Sequence, residues 1–179
     1  FKMPQSADLL LQVIRDRSSL FSSCGYHGLL SQYLTTSKIE GDHKTPVGQF
    51  KFNKIYYRKD RLGEMLFKIP FAIIEENDGW CDDPKSKLYN QHIQFPFDAS
   101  AEKLYRDDDL YDLLVVINHN TDPIVPGNGS AIFLHISKPN FEGTEGCIAI
   151  EKENIIMFIK SHSHHINILR NVHISGTYK

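Results

Sequence analysis

Apolar residues fall in short runs separated by turn-forming stretches, the spacing of strands rather than of long helices. Leu9 to Ile14 is one such run. Asp16-Arg17-Ser18-Ser19 turns the chain, and Leu20 to Cys24 reads as the return strand of a hairpin. Gly25, Gly28 and the polar stretch from Ser31 to Lys38 read as loop. Gln49 to Tyr57 alternates loosely through Phe50, Phe52, Ile55 and Tyr57. Phe67 to Ile74 is a further strand, and Pro70 assigns it to an edge or a bulge because proline cannot donate to a ladder. Leu113-Leu114-Val115-Val116-Ile117 is apolar without a break, the pattern of a strand buried on both faces. Ala131 to His135 forms the next strand, and Ile148 and Ile150 flank Ala149 in another. Glu151 to Ile159 reads as an amphipathic helix, with Ile155, Ile156 and Ile159 on one face and acids in its first turn. His173 to Gly176 is a candidate last strand. The expected fold is a single domain over 1–179, mainly β, a mostly antiparallel sandwich or barrel with one or two packed helices.

Two segments break this rhythm. Glu40-Gly41-Asp42-His43-Lys44-Thr45-Pro46-Val47-Gly48 is dense in turn formers, and Asp78-Gly79-Trp80-Cys81-Asp82-Asp83-Pro84 puts the only Trp in a polar, Gly/Pro-punctuated stretch. A tryptophan in such a loop offers a rigid face to a ligand, or folds beneath its own loop.

Composition narrows the classes. Of 179 residues, 41% are hydrophobic, enough for a core, and the net charge of -2 comes without any basic run, so no nucleic-acid partner is expected. No apolar run approaches the roughly 20 residues of a membrane span. No export signal is visible in Phe1-Lys2-Met3-Pro4. A monomer without cofactor is expected. Three cysteines are too few for a disulfide scaffold; Cys24 and Cys81 could pair or could be small buried hydrophobes. Asp107-Asp108-Asp109 and the histidines at 162, 164 and 165 have metal-like content but lack partners in register, and both read as solvated segments rather than a metal site.

The remaining candidate chemistry is His135 and Cys147. A thiol with pKa about 8.5 is mostly protonated at neutral pH, and a neighbouring imidazole that takes its proton would give a thiolate–imidazolium pair. Gly146 lets the backbone approach a substrate, the Thr144-Glu145-Gly146 turn could aim amides at an oxyanion, and a carbonyl near Ile136 or Ser137 could fix the tautomer of His135. Against this stand a structural cysteine unrelated to the histidine, and a zinc site of His135, Cys147 and His119 that falls short of a clean motif.

The segment from His135 to Ile150, with Thr144-Glu145-Gly146-Cys147-Ile148, resembles the signature of the YkuD-type L,D-transpeptidases. The Glu40 to Gly48 segment resembles that family's E-G-D-x-x-T-P-x-G stretch. Gly79 to Pro84 with Tyr89-Asn90, and Pro126 to His135, resemble a compact bacterial branch. The resemblance implies a β-rich enzyme of peptidoglycan stem peptides in the periplasm or cell envelope, with Cys147 as nucleophile and His135 as base, forming a thioester that an amine resolves. Where water resolves it, the enzyme is an L,D-carboxypeptidase or endopeptidase; a non-catalytic peptidoglycan-binding module is the other reading. Trp80, Tyr89, Asn90 and Asn120 are the expected substrate contacts. The chain departs from the family at Ala149, where many members carry arginine, and at Thr144, where serine is usual.

Overall fold

The uninterrupted apolar run becomes the centre of the molecule. In the structure, a computed structural model that describes residues 34–138 and 143–160 together with the backbone of strands at 28–30 and 165–168, all five residues of Leu113–Ile117 are buried. The elements in chain order are β1 (Gly28–Leu30), β2 (Leu34–Thr35), β3 (Thr45–Pro46), β4 (Gly48–Tyr57), α1 (Lys59–Leu62), β5 (Phe71–Ile73), β6 (Asp78–Cys81), β7 (His92–Gln94), β8 (Ala101–Lys103), β9 (Leu113–Ile117), β10 (Phe133–Ile136), β11 (Ile148–Ile150), α2 (Lys152–Lys160) and β12 (His165–Ile168). The main sheet runs β1-β11-β10-β9-β4-β12, with β5 added on β4; a second, small sheet runs β7-β6-β8. The fold is mainly β and mostly antiparallel, with parallel pairs at β10–β11, β2–β3 and β4–β5.

Side chains of β9 alternate between two cores. Leu113, Val115 and Ile117 join Leu134, Ile136, Ile148 and Ile150, and α2 covers this face with Ile155, Phe158 and Ile159. Each of these helix side chains contributes about 1.5–3 kcal/mol on burial. Leu114 and Val116 face the other way, with Phe133, and meet Trp80 of the small sheet and Leu104 just beyond β8. The result is three layers: helix, main sheet, small sheet.

The loose alternation in β4 has a definite cause. The register shifts between Phe52 and Lys54, so a β-bulge at Asn53 inserts one residue. Phe52, Ile55 and Tyr57 thereby reach the same core, although their numbers change parity. One extra residue flips every later side chain to the other face.

Several expectations need correction. Only Phe71–Ile73 of the 67–74 stretch is strand, because it pairs solely at the β4 edge; the Pro70 carbonyl accepts from the Ile55 amide at 2.9 Å. Gly28–Leu30 and Leu34–Thr35 are strands, not loop, each ordered by a partner distant in sequence. Trp80 lies on β6 rather than in a loop, because Gly79 to Cys81 is laddered on both sides by β7 and β8. On α2, Phe158 joins the buried face while Ile156 is only partly covered. The hairpin from Leu9 to Cys24, the possible Cys24–Cys81 pairing, His162, His164 and the 173–176 strand lie outside the described residues. Among the described residues, no helix is long and apolar enough to cross a membrane.

Candidate active site

The parallel pairing of β10 and β11 sets Leu134 beside Ile148 and His135 beside Ala149. Leu134 and Ile148 enter the helix-side core. Strand alternation then sends Phe133, His135, Cys147 and Ala149 to the opposite face, toward the small sheet. Cys147 packs there against the cluster holding Trp80, Tyr111 and Phe133. Histidine and cysteine thus project from neighbouring strands onto one face.

Backbone groups hold the thiol. Its Sγ donates to the Ala131 carbonyl at 3.1 Å and accepts from the Phe133 amide at 3.5 Å. The Thr144 hydroxyl donates to the Cys147 carbonyl at 2.6 Å, which ties off the turn before the cysteine. Gly146 has φ +121°, and a Cβ there would stand 2.9 Å from the Lys44 carbonyl. The loop of residues 40–48 therefore packs against the cysteine turn so closely that only glycine fits. Gly146→Ala is expected to displace that turn and lower kcat about a hundredfold, the effect of misplacing a reacting group by an ångström, with a reduced Tm; steady-state kinetics beside a thermal melt checks both.

His135 is buried, and its Nδ1 lies 2.8 Å from the Ile136 carbonyl. A carbonyl only accepts, so Nδ1 carries the proton and Nε2 keeps its lone pair. Of the two expected orienting positions, Ile136 meets the ring, whereas the Ser137 amide donates to the Ile150 carbonyl at 2.8 Å. The ring stands edge-on to Tyr111, with centroids 5.4 Å apart.

Burial acts on the ionisation of both residues. Burial pushes His135 down to about 4, and the nearby Arg106 guanidinium works in the same direction. Burial pushes the Cys147 thiol up to about 12, helped by the Glu102 carboxylate. Both shifts favour the neutral form, because burial penalises either charge.

Behind the chamber lies a network that fixes Ala131, whose φ is +51°. Asn90 Oδ1 accepts from the Trp80 indole at 2.9 Å and from the Ala131 amide at 3.0 Å, while its Nδ2 donates to the Asn120 carbonyl at 2.7 Å. Glu40 accepts from the Tyr89 hydroxyl and from Ser130 Oγ, the latter at 2.7 Å. Asn120 Nδ2 donates to the Val125 and Gly129 carbonyls at 3.0 and 2.9 Å. The four expected substrate contacts, Trp80, Tyr89, Asn90 and Asn120, are thus all engaged in the scaffold. The Trp80 ring packs edge-on against Tyr56 and Phe133, and with Asn90 it also borders a shallow depression shared with His92 and Thr121. Glu145, in the expected oxyanion turn, is exposed on the rim, 3.7 Å from His43. His119 Nε2 meets the Asn128 carbonyl at 2.9 Å. Among the described residues, no group of three metal-ligating side chains occurs.

A family model of the L,D-transpeptidase catalytic domain, YkuD, matches residues 13–161. The chain belongs to the YkuD family. No curated protein and no solved structure matches it. As a YkuD domain it is an L,D-transpeptidase-type catalytic domain acting on peptidoglycan. In this YkuD domain the position two beyond the cysteine is a buried alanine, directly across from His135 in the ladder. Arg106, in the segment after β8, carries a guanidinium 5.1 Å from the centroid of the Tyr111 ring.

Sequence reasoning missed Glu102, Arg106 and Tyr111, which approach the site from β8 and the segment following it. It also missed the Ala131 carbonyl and the Phe133 amide as holders of the thiol. Glu40 belongs to the turn-rich 40–48 segment, but no spacing reveals that its carboxylate ties two distant segments together.

Proposed function

We propose that this domain is a cysteine-dependent L,D-transpeptidase of the cell envelope that works through a thioester. Cys147 attacks the carbonyl of the third stem residue while His135 Nε2 takes the thiol proton. The backbone amides of Thr144, Glu145 and Gly146 face the oxyanion. As the C–N bond breaks, the imidazolium returns that proton to the departing D-alanine nitrogen. An amine then attacks the thioester carbonyl, His135 takes its proton, and the thiol is released. The depression bordered by Trp80 and Asn90 is the stem-peptide surface, with Tyr89 and Asn120 serving it through the segments they hold.

One observation supports this reading above the others: the parallel register of β10 and β11 brings the thiol and an imidazole in the base-competent tautomer onto one face. The opposition of burial to charge on either residue is compatible with it, since the proton moves as the sulfur attacks.

Purified tetrapeptide muropeptides incubated with the protein, with and without an acceptor stem, should release D-alanine and give a crosslinked product by mass analysis. Hydrolysed stem alone would make the enzyme a carboxypeptidase. No product, together with no labelling of Cys147 by a carbapenem-type electrophile, would make it a binding module.

A further inference from the structure

Glu102 is a charged group at the nucleophile that the proposed reaction leaves without a task. It sits on β8, opposite Trp80 of β6. Tyr111 donates to its Oε1 at 2.6 Å. The Tyr111 ring stands edge-on against both Phe133 and His135, and Cys147 packs into the same cluster. The half-buried carboxylate is therefore held beside the cluster that contains Cys147, with the Tyr111 ring between it and His135.

For thiol chemistry alone this placement is a hindrance. After burial, the Glu102 charge is the largest influence opposing ionisation of Cys147, and Glu145 adds to it; the Phe133 amide and Lys38 act the other way. The cations nearby are already committed, Lys38 to Asp42 at 2.5 Å and Arg106 to Asp108 at 2.6 Å. Among the described residues Glu102 forms no ion pair. Its own carboxyl is pushed up by burial and by Asp82 and Glu145, and held down by the Tyr111 bond and Arg106. A positive group carried by a ligand would pair with this carboxylate and relieve its field on the thiol.

We propose that Glu102 is a specificity residue that binds the primary ammonium group of the substrate, and that this binding readies Cys147 for attack. The inference rests on the transpeptidase reading for its substrate, a stem peptide with a side-chain amine. The amine can belong to the donor stem or to the acceptor.

The test compares wild type with E102Q, which keeps an acceptor for the Tyr111 hydroxyl and removes the charge, and with E102D, which keeps the charge. A donor-side role predicts that wild type and E102D prefer a stem with a free side-chain amine over the same stem acetylated. E102Q should then lose roughly tenfold to a hundredfold of that preference in kcat/KM, the size of one charge-assisted hydrogen bond. An acceptor-side role predicts instead a fall of similar size in the ratio of transfer to hydrolysis. If neither ratio moves in E102Q, the proposal is wrong. A second arm needs no turnover. Iodoacetamide labelling of Cys147, mapped by peptide mass, should reach its midpoint at lower pH in E102Q. Propylamine hydrochloride should accelerate labelling of the wild type and not of E102Q. An unchanged midpoint and no amine effect overturn the role of Glu102. A wild-type protein inert toward stems but showing both labelling effects overturns the transpeptidase reading instead.

Discussion

Cys147→Ala is expected to abolish D-alanine release while leaving the fold in place. In the proposed thioester route the sulfur forms the covalent bond on which both half-reactions depend, and neither Ala131 nor Phe133, its two partners, can replace it. Losing a nucleophile of this kind costs on the order of a million-fold in kcat. The structural cost is small by comparison. The thiol is only partly buried, and its loss frees one carbonyl and one amide, about 1–3 kcal/mol. Circular dichroism should match wild type with a modest drop in Tm. A variant that released D-alanine at the wild-type rate would refute the thioester route altogether.

Replacing His135 by alanine should lower kcat/KM by about 10²–10⁴, the usual range for a general base. The pH dependence carries more information. Burial holds the imidazole down to about 4, so its lone pair stays available through the range where an ordinary histidine, with pKa about 6.5, would be protonated. Wild-type kcat/KM should therefore persist at pH 5–6 and fall only as the pH nears 4. Stability follows the same group. The unfolded chain takes up this proton first as pH falls, so stability is lost from about pH 6.5 down toward 4. His135→Ala should flatten that part of the profile. An acid limb near 6.5 in the wild type would contradict a buried neutral base.

Elements with a strong local period are legible in the residues themselves. The β9 run, the β10–His135 stretch, the Ile148–Ile150 strand and the helix after it are each announced by their own side chains. The elements that escape such a reading depend on partners distant in sequence. β6, β7 and β8 are three or four residues long and hold only because they pair with one another, so the Trp80 segment reads as a loop. The bulge at Asn53 shows in the sequence only as an untidy alternation, since its cause is the register against β9. The site divides in the same way. His135 and Cys147 stand out because a histidine ends one apolar strand and a cysteine precedes another. Glu102 and Tyr111 look like ordinary surface and core residues until the fold brings them to the same chamber.

The hydrogen bond from Cys147 to the Ala131 carbonyl has a consequence for the lifetime of the enzyme. Peroxide and other oxidants attack thiolates far faster than thiols, and over-oxidation past the sulfenic stage is not reversed outside a few specialised systems. A sulfur kept protonated on a backbone carbonyl, in a site that opposes its ionisation, is spared this damage between turnovers. The same geometry that opposes ionisation of Cys147 thus also guards its sulfur in the reduced state.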